Sequence, residues 1–407
     1  MNRGESARPA LAGARSAYGR TMTTLLLRRS VDAPADVVWA LLTDPEAMNT
    51  WSTARIELLD AGDRGRADGV GALRRVHLPG GRTRLTEVIH TAAAPHELGY
   101  TVVGGVAALR EHTGRISLRA DGEHTTEIRW EVVMRFAIPG MAAVIRPLIG
   151  RELAASLRRL VELAPTAPAP EPAAPAPRDL PPRDLAALRQ TVAAVLAEQR
   201  DIADRLAGAD DPKRWFARVY QYVTEEQLAH LDTGRVDNPE WVLRLIPRFH
   251  ELYRRNLLAF ERGAPTEEPW RKAWGLAERA GQTGSSAQMM KALLLGVAAH
   301  IESDLPRALR RTYAEDFADR VDYVYFRADY LRMADVFRIA SDRLMADLPR
   351  TYTPVWLRLA RAVLAPELRD QLMRRYYDIP RRRLAAFAAG GQPPQATADP
   401  PLAGADG

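Results

Sequence analysis

Along the first third of the chain, apolar and polar residues alternate with a period of two. The clearest run is residues 125–136, where Ile128, Trp130, Val132, Met134 and Phe136 take every second position. Successive strand side chains point to opposite faces, so the run predicts a strand with one buried and one wet face, as in an antiparallel sheet. Shorter segments of this kind occupy residues 24–31, 56–59, 70–78, 84–89, 98–103 and 109–118, and Pro79-Gly80-Gly81 marks a hairpin. Two interruptions read as helices. In residues 32–43, Val38, Leu41 and Leu42 repeat at helical spacing and Pro34 suits a first turn; Asp44-Pro45 ends it, and a short turn then carries Met48, Asn49 and Trp51. After the last strand, Pro139-Gly140 opens a long helix to about residue 163, with Ile145, Ile149, Leu153, Leu157 and Leu160 on one stripe.

From residue 185 the period changes to that of helices. Between the two regimes stand prolines at 165, 168, 170, 172, 175, 177, 181 and 182, with alanines in most of the gaps. Proline blocks helix and sheet interiors, so the stretch predicts an extended spacer. Beyond it, helices are expected over 185–206, from Trp215 onward, from the Asp237-Asn238-Pro239 start to about 260, around Trp270 and Trp274, over 286–305 as a central helix, and within 317–346, 354–364 and 367–377. Asp211 before Pro212 is expected as a cap, and Asp237-Asn238-Pro239 follows the same grammar of cap and then proline. The pattern predicts an α+β fold, a curved antiparallel sheet around a long final helix, joined to an all-α domain. The expected divisions are a tail (1–22), the sheet domain (23–164), a linker (165–184), the helical domain (185–388) and a second tail (389–407). So long a spacer predicts weakly coupled domains.

Composition narrows the function. With 46% hydrophobic and 27% charged residues over 407 positions, two globular cores are affordable. Cysteine is absent, which excludes disulfides, thiolate metal sites and cysteine nucleophiles. No apolar run approaches the roughly 18 residues that span a bilayer. Residues 1–20 hold arginines but no apolar core, so they are not a secretory signal; Met22 is an alternative start, and a cytoplasmic location is expected. The net charge of +6 rests on arginine, since lysine occurs only at 213, 272 and 291. The basic residues are scattered among acids without interleaved aromatics, so no nucleic-acid partner is expected. Arg374-Arg375 and Arg381-Arg382-Arg383 read as a solvated helix terminus, with contact to an anionic membrane surface as the alternative. No nucleotide or redox cofactor is indicated, and oligomeric state is not legible.

Candidate chemistry falls in two places. In the sheet domain, His77, His90 and His112 lie on strands while His96 and His124 lie in turns; Glu87, Tyr100 and Arg110 reach the interior if their strands present them inward. In the central helix, His300 and Asp304 stand four apart and share a face, with Gly296 one turn below. A buried histidine and carboxylate need pairing. Three readings stay open: Asp304 orients a core histidine; the pair is part of a divalent metal site completed from His250, Glu251, His230 and Asp232; or His300 is a catalytic general base steered by Asp304.

Two resemblances follow from the residues. Val31-Asp-Ala-Pro-Ala-Asp-Val-Val-Trp39, Thr43-Asp44-Pro45, Trp51 and the closing helix resemble the START-like, or SRPBCC, superfamily, most closely its polyketide cyclase/dehydrase branch. The resemblance implies a sheet gripping the helix around an apolar cavity for lipids, sterols, polyketides or aromatic compounds. The residues expected to bind such a ligand are Trp39, Trp51, Tyr100, Arg110, Trp130, Ile145 and Ile149. Many members of the superfamily bind without reacting. The helical part resembles DUF5995, a bacterial family without an assigned reaction, through residues 215–224, 249–253, Trp270, Trp274, 293–305 and 316–322, of which Ala299-His300-Ile301-x-x-Asp304-Leu305 is the most specific. The chain departs from that family at Val297-Ala298 and at Glu302, where members tend to carry Met-Asn and Asn. The His-x-x-x-Asp helix is also similar to one in zinc-dependent phospholipase C and related nucleases, whose further histidines have no match here. The resulting expectation is binding or processing of an apolar small molecule. The alternatives are a His300/Asp304-centred, metal-assisted hydrolase and a non-catalytic interaction protein.

Overall fold

The structure, a computed structural model, describes residues 22–81, 83–106, 108–122, 124–138, 140–170, 184–364 and 377–392. The expected tails at 1–21 and 393–407, most of the proline-rich spacer and nearly all of the helix expected at 367–377 lie outside the described residues.

Seven strands, β1 (Thr23–Val31), β2 (Arg55–Asp60), β3 (Leu73–His77), β4 (Arg84–Ala93), β5 (Glu97–Gly104), β6 (Leu109–Ala120) and β7 (Thr126–Phe136), form one antiparallel sheet. Its order is β1-β7-β6-β5-β4-β3-β2. Helices α1 (Ala35–Thr43) and α2 (Pro45–Trp51) connect the two edge strands, and Asp44 caps α2 through the amides of Glu46 and Ala47. The long helix α3 (Met141–Leu163) lies across the inner face. The alternation in β7 does what the pattern required: Ile128, Trp130, Val132 and Met134 enter one core with Leu157 and Leu160 of α3. The helix is not seated evenly. Its last turns are buried, whereas Val144 and Leu148 in its first half are 65% and 52% exposed, and Ile145, Ile149 and Leu153 are half-buried.

The second region is helical throughout its described residues: α4 (Leu185–Gly208), α5 (Arg214–Asp232), α6 (Pro239–Glu261), α7 (Glu268–Thr283), α8 (Ser286–Ala298), α9 (Leu305–Asp316), α10 (Arg327–Arg332), α11 (Ala334–Asp347), α12 (Val355–Val363) and α13 (Ile379–Gly390). The expected central helix is not one regular helix. A π-helical segment, Ala299–Asp304, joins α8 to α9, and Pro306 sits in the first turn of α9 rather than ending the run. Asn238 stands at the cap of α6 just before Pro239, and the bonding there comes from afar: the fully buried Asp329 of α10 accepts the amides of Asp237 and Asn238 at 2.8 Å each. Of Arg381-Arg382-Arg383, the first two are exposed as a solvated terminus requires, and Arg383 is buried.

The two regions are in contact, contrary to the weak coupling expected from the spacer. Arg327 at the head of α10 donates to the Gly71 carbonyl at 2.8 Å and to Asp60 at 2.5 Å. The Asp322 amide donates to Asp63, and the Arg64 amide donates to Asp322. Gly71, at φ +88°, lets the two backbones close up; a Cβ there would stand 1.9 Å from the Val324 carbonyl oxygen. A spacer sets how far apart two domains can go, not whether their surfaces fit.

Candidate functional site

The inner face of the sheet carries a polar set within an apolar core. Register places Arg74 of β3 opposite Glu87 of β4, and the two form a buried ion pair at 2.8 Å. Burial raises the Glu87 carboxyl above its usual range, with Arg74 opposing the rise. Tyr100 of β5 stands beside Ile89 of β4 in the register and accepts a hydrogen bond from Trp130 Nε1 at 3.1 Å. Burial, with the nearby Glu87 charge, pushes the Tyr100 phenol well up. His112 of β6 lies 6.1 Å from the Tyr100 ring, and burial lowers its pKa to about 4, so it is neutral at pH 7. Gly114 leaves room for Tyr100, since a Cβ there would meet the ring at 2.1 Å. Arg74 Nε and His112 Nδ1 are buried without a hydrogen-bond partner.

Of the residues expected to bind a ligand, Tyr100 and Trp130 are buried in the core of the sheet domain and Ile149 packs against it. Trp39 and Trp51 are in the same core, with their indole N–H groups committed to the Asp68 carboxylate and the Leu41 carbonyl. Ile145 is half-buried at the loosely seated end of α3. Arg110 is elsewhere. A bulge between Leu109 and Glu111 takes it out of the β6 alternation, as bulges re-aim side chains, and it lines a cavity of the helical domain instead. The remaining histidines are peripheral: His77 pairs with Glu57, His90 lies 3.4 Å from Asp237 of the helical domain, and His96 and His124 are exposed.

In the helical domain His300 and Asp304 do meet, with Nδ1 to Oδ2 at 2.9 Å. Asp304 is 0% exposed, and it also accepts from Trp270 Nε1 at 3.0 Å and from Arg307 at 2.7 Å. Arg307 is held in turn by both oxygens of Glu267. The His300 ring stacks on Phe249 at 3.6 Å, with Tyr220, Phe216 and Trp270 around it. Burial lowers its pKa against the pull of Asp304, and Nε2 has no partner. A Cβ on Gly296 would meet the Phe216 ring at 2.8 Å, so the missing side chain makes room for that ring. The other expected metal ligands are not assembled. His250 turns Nε2 to Glu198 at 3.1 Å, His230 bonds the Glu226 carbonyl, Asp232 pairs with Arg189 and Glu251 with Arg254. Among the described residues no group of three or more His, Asp or Glu stands close enough to hold a metal ion, and no helix is long and apolar enough to cross a membrane.

Known proteins resemble the chain in parts. Residues 22–165 match the family described as polyketide cyclase / dehydrase and lipid transport. Residues 192–387 match DUF5995, a family of unknown function. No curated protein sequence matches the chain. Among solved structures, a START superfamily protein from Mycobacterium smegmatis is 16% identical over 35% of this chain and 97% of its own, with a TM-score of 0.32. The ZhuI aromatase/cyclase from Streptomyces sp. R1128 is 16% identical over 36% and 94%, with a TM-score of 0.31. Norcoclaurine synthase from Thalictrum flavum is 15% identical over 41% and 100%, with a TM-score of 0.32. The chain thus matches the polyketide cyclase / dehydrase and lipid transport family over its first part and the DUF5995 family over its second.

Proposed function

We propose that the first domain binds an apolar small molecule, a lipid, polyketide or aromatic metabolite, against the concave face of its sheet. One observation carries the reading: Arg74 Nε and His112 Nδ1 lie buried on that face without partners. An orphaned buried polar atom costs roughly 1–3 kcal/mol, and a ligand oxygen or an ordered water relieves it. The half-buried first half of α3 supports the reading, since it is the side on which the apolar interior is least closed. The family description, which includes lipid transport, agrees with it. Native mass spectrometry of the purified full chain tests it. An apolar adduct is expected, and Ile149→Trp, which adds bulk where α3 packs half-buried on the core, is expected to remove it while the fold stays intact. A mass without any adduct, or an adduct that persists in Ile149→Trp, overturns the reading.

A second reading rests on His300. Its Nδ1 is oriented by Asp304 and its Nε2 is left without a partner, the arrangement of a general base in a hydrolytic site. Its test is turnover of an ester panel by wild type and His300→Gln. Activity lost without loss of stability supports a base, whereas unfolding alone supports a packing role.

A further inference from the structure

The helical domain holds a cavity of about 270 Å³ between α8, α11 and α13. Its walls are apolar, with Leu293, Leu294 and Val297 from α8, Phe337 and Met345 from α11, and Ile379 at the head of α13. The charged groups lining it are Arg110, Arg338 and Arg383 against Asp335 and Asp342. The two aspartates lie about Arg338, at 4.0 and 3.9 Å.

Arg383 is the anomaly. It is 4% exposed. Its Nη2 donates to the Tyr330 carbonyl at 2.7 Å, and its guanidinium lies over the rings of Tyr330 and Phe337 at 4.3 and 4.6 Å. Its Nε has no partner, and among the described residues no carboxylate stands within ion-pair distance of it. The Nε of Arg338 is also buried without a hydrogen bond, although Asp335 stands 4.0 Å from it. Burial pulls the Arg383 pKa down, as expected for a charge removed from water without an opposite one. Ring faces and one carbonyl stabilise a guanidinium only in part. An anion at Nε would complete it, because the planar fork of arginine matches a carboxylate.

We propose that this cavity binds an amphiphilic carboxylate, its head on Arg383 and its alkyl chain along α8 and α11. The site is separate from the sheet interior and stands whether or not that interior binds a ligand. It is not wholly confined to the helical domain. The bulge that removes Arg110 from the sheet interior delivers it to this wall, so a ligand here touches both domains.

Calorimetric titration of the full chain with decanoate and with 1-decanol tests the inference. Decanoate is expected to bind at least tenfold more tightly. Arg383→Met is expected to bring decanoate down to the level of the alcohol. Because that change also removes the bond to Tyr330, Leu294→Trp is read independently: it fills the cavity from a half-buried wall position and is expected to abolish binding of both. Equal affinity for the two amphiphiles, binding of neither, or decanoate binding that survives Leu294→Trp overturns the inference. A decanoate signal removed by Ile149→Trp but kept in Leu294→Trp does so as well, and assigns the anion to the sheet domain.

Discussion

Asp304 and Arg383 are both buried charges of the helical domain, and their surroundings treat them in opposite ways. Asp304 is enclosed by three donors, His300, Trp270 and Arg307, and the last is anchored again by Glu267. Arg383 has one carbonyl, two ring faces and an idle Nε beside an apolar cavity. A charge saturated by its own chain is part of the scaffold. One left short beside open space is where a ligand has something to gain. The polar set of the sheet interior belongs with the second kind, since the Arg74–Glu87 pair leaves Arg74 Nε over.

The comparison is broken most directly at Asp304. Asp304→Leu leaves the His300 Nδ1 and the Trp270 N–H without their acceptor and takes from Arg307 one of its two carboxylates, and is expected to cost about 3–5 kcal/mol in urea unfolding. A cost below about 1 kcal/mol would show that the network is not scaffold. Gly71→Ala probes the contact between domains. Its positive φ and the Val324 carbonyl leave no room, so a penalty of about 1–3 kcal/mol is expected. Limited proteolysis should then cut between the domains faster than in wild type; an unchanged rate would mean that the contact does not hold them.

Tyr100→Phe sharpens the account of the sheet interior. It leaves Trp130 Nε1 without its acceptor, for an expected loss of about 1–2 kcal/mol in thermal unfolding, and no loss would place a water there. The most gradual effect is the pH dependence due to His112. Its folded pKa of about 4 lies below the unfolded value of 6.5. Its stabilisation is complete above 6.5 and falls as pH drops towards 4, because only the unfolded chain takes up the proton in that window. The slope is at most about 1.4 kcal/mol per pH unit for this one group. His112→Gln is expected to flatten the unfolding profile between those values, and a profile as steep as wild type would locate the dependence in other groups.

How much of this was legible follows from what each signal depends on. The strands of the sheet were readable because period-two alternation is local, and β7 shows it over its whole length. Tyr100 and Trp130 were found from their places on strands. Arg74 was missed, because Arg74-Arg75 looks like a surface pair until pairing with β4 sets it opposite Glu87; the available signal was its alternation with Val76. Arg110 was misplaced because a bulge leaves no mark in the pattern. His300 and Asp304 were paired correctly from their spacing, although the π-helical turn that carries them was not foreseen. Arg383 read as one of three solvated arginines, since nothing in Arg381-Arg382-Arg383 says which one α10 and α11 will cover.

The closure at Gly71 has a consequence for assembly. Joined by one chain, two surfaces meet at a local concentration far above that of separate molecules, so even a weak complementary fit stays occupied. Severed at the spacer, the same pair would become an ordinary bimolecular complex, and dilution alone would dissolve it.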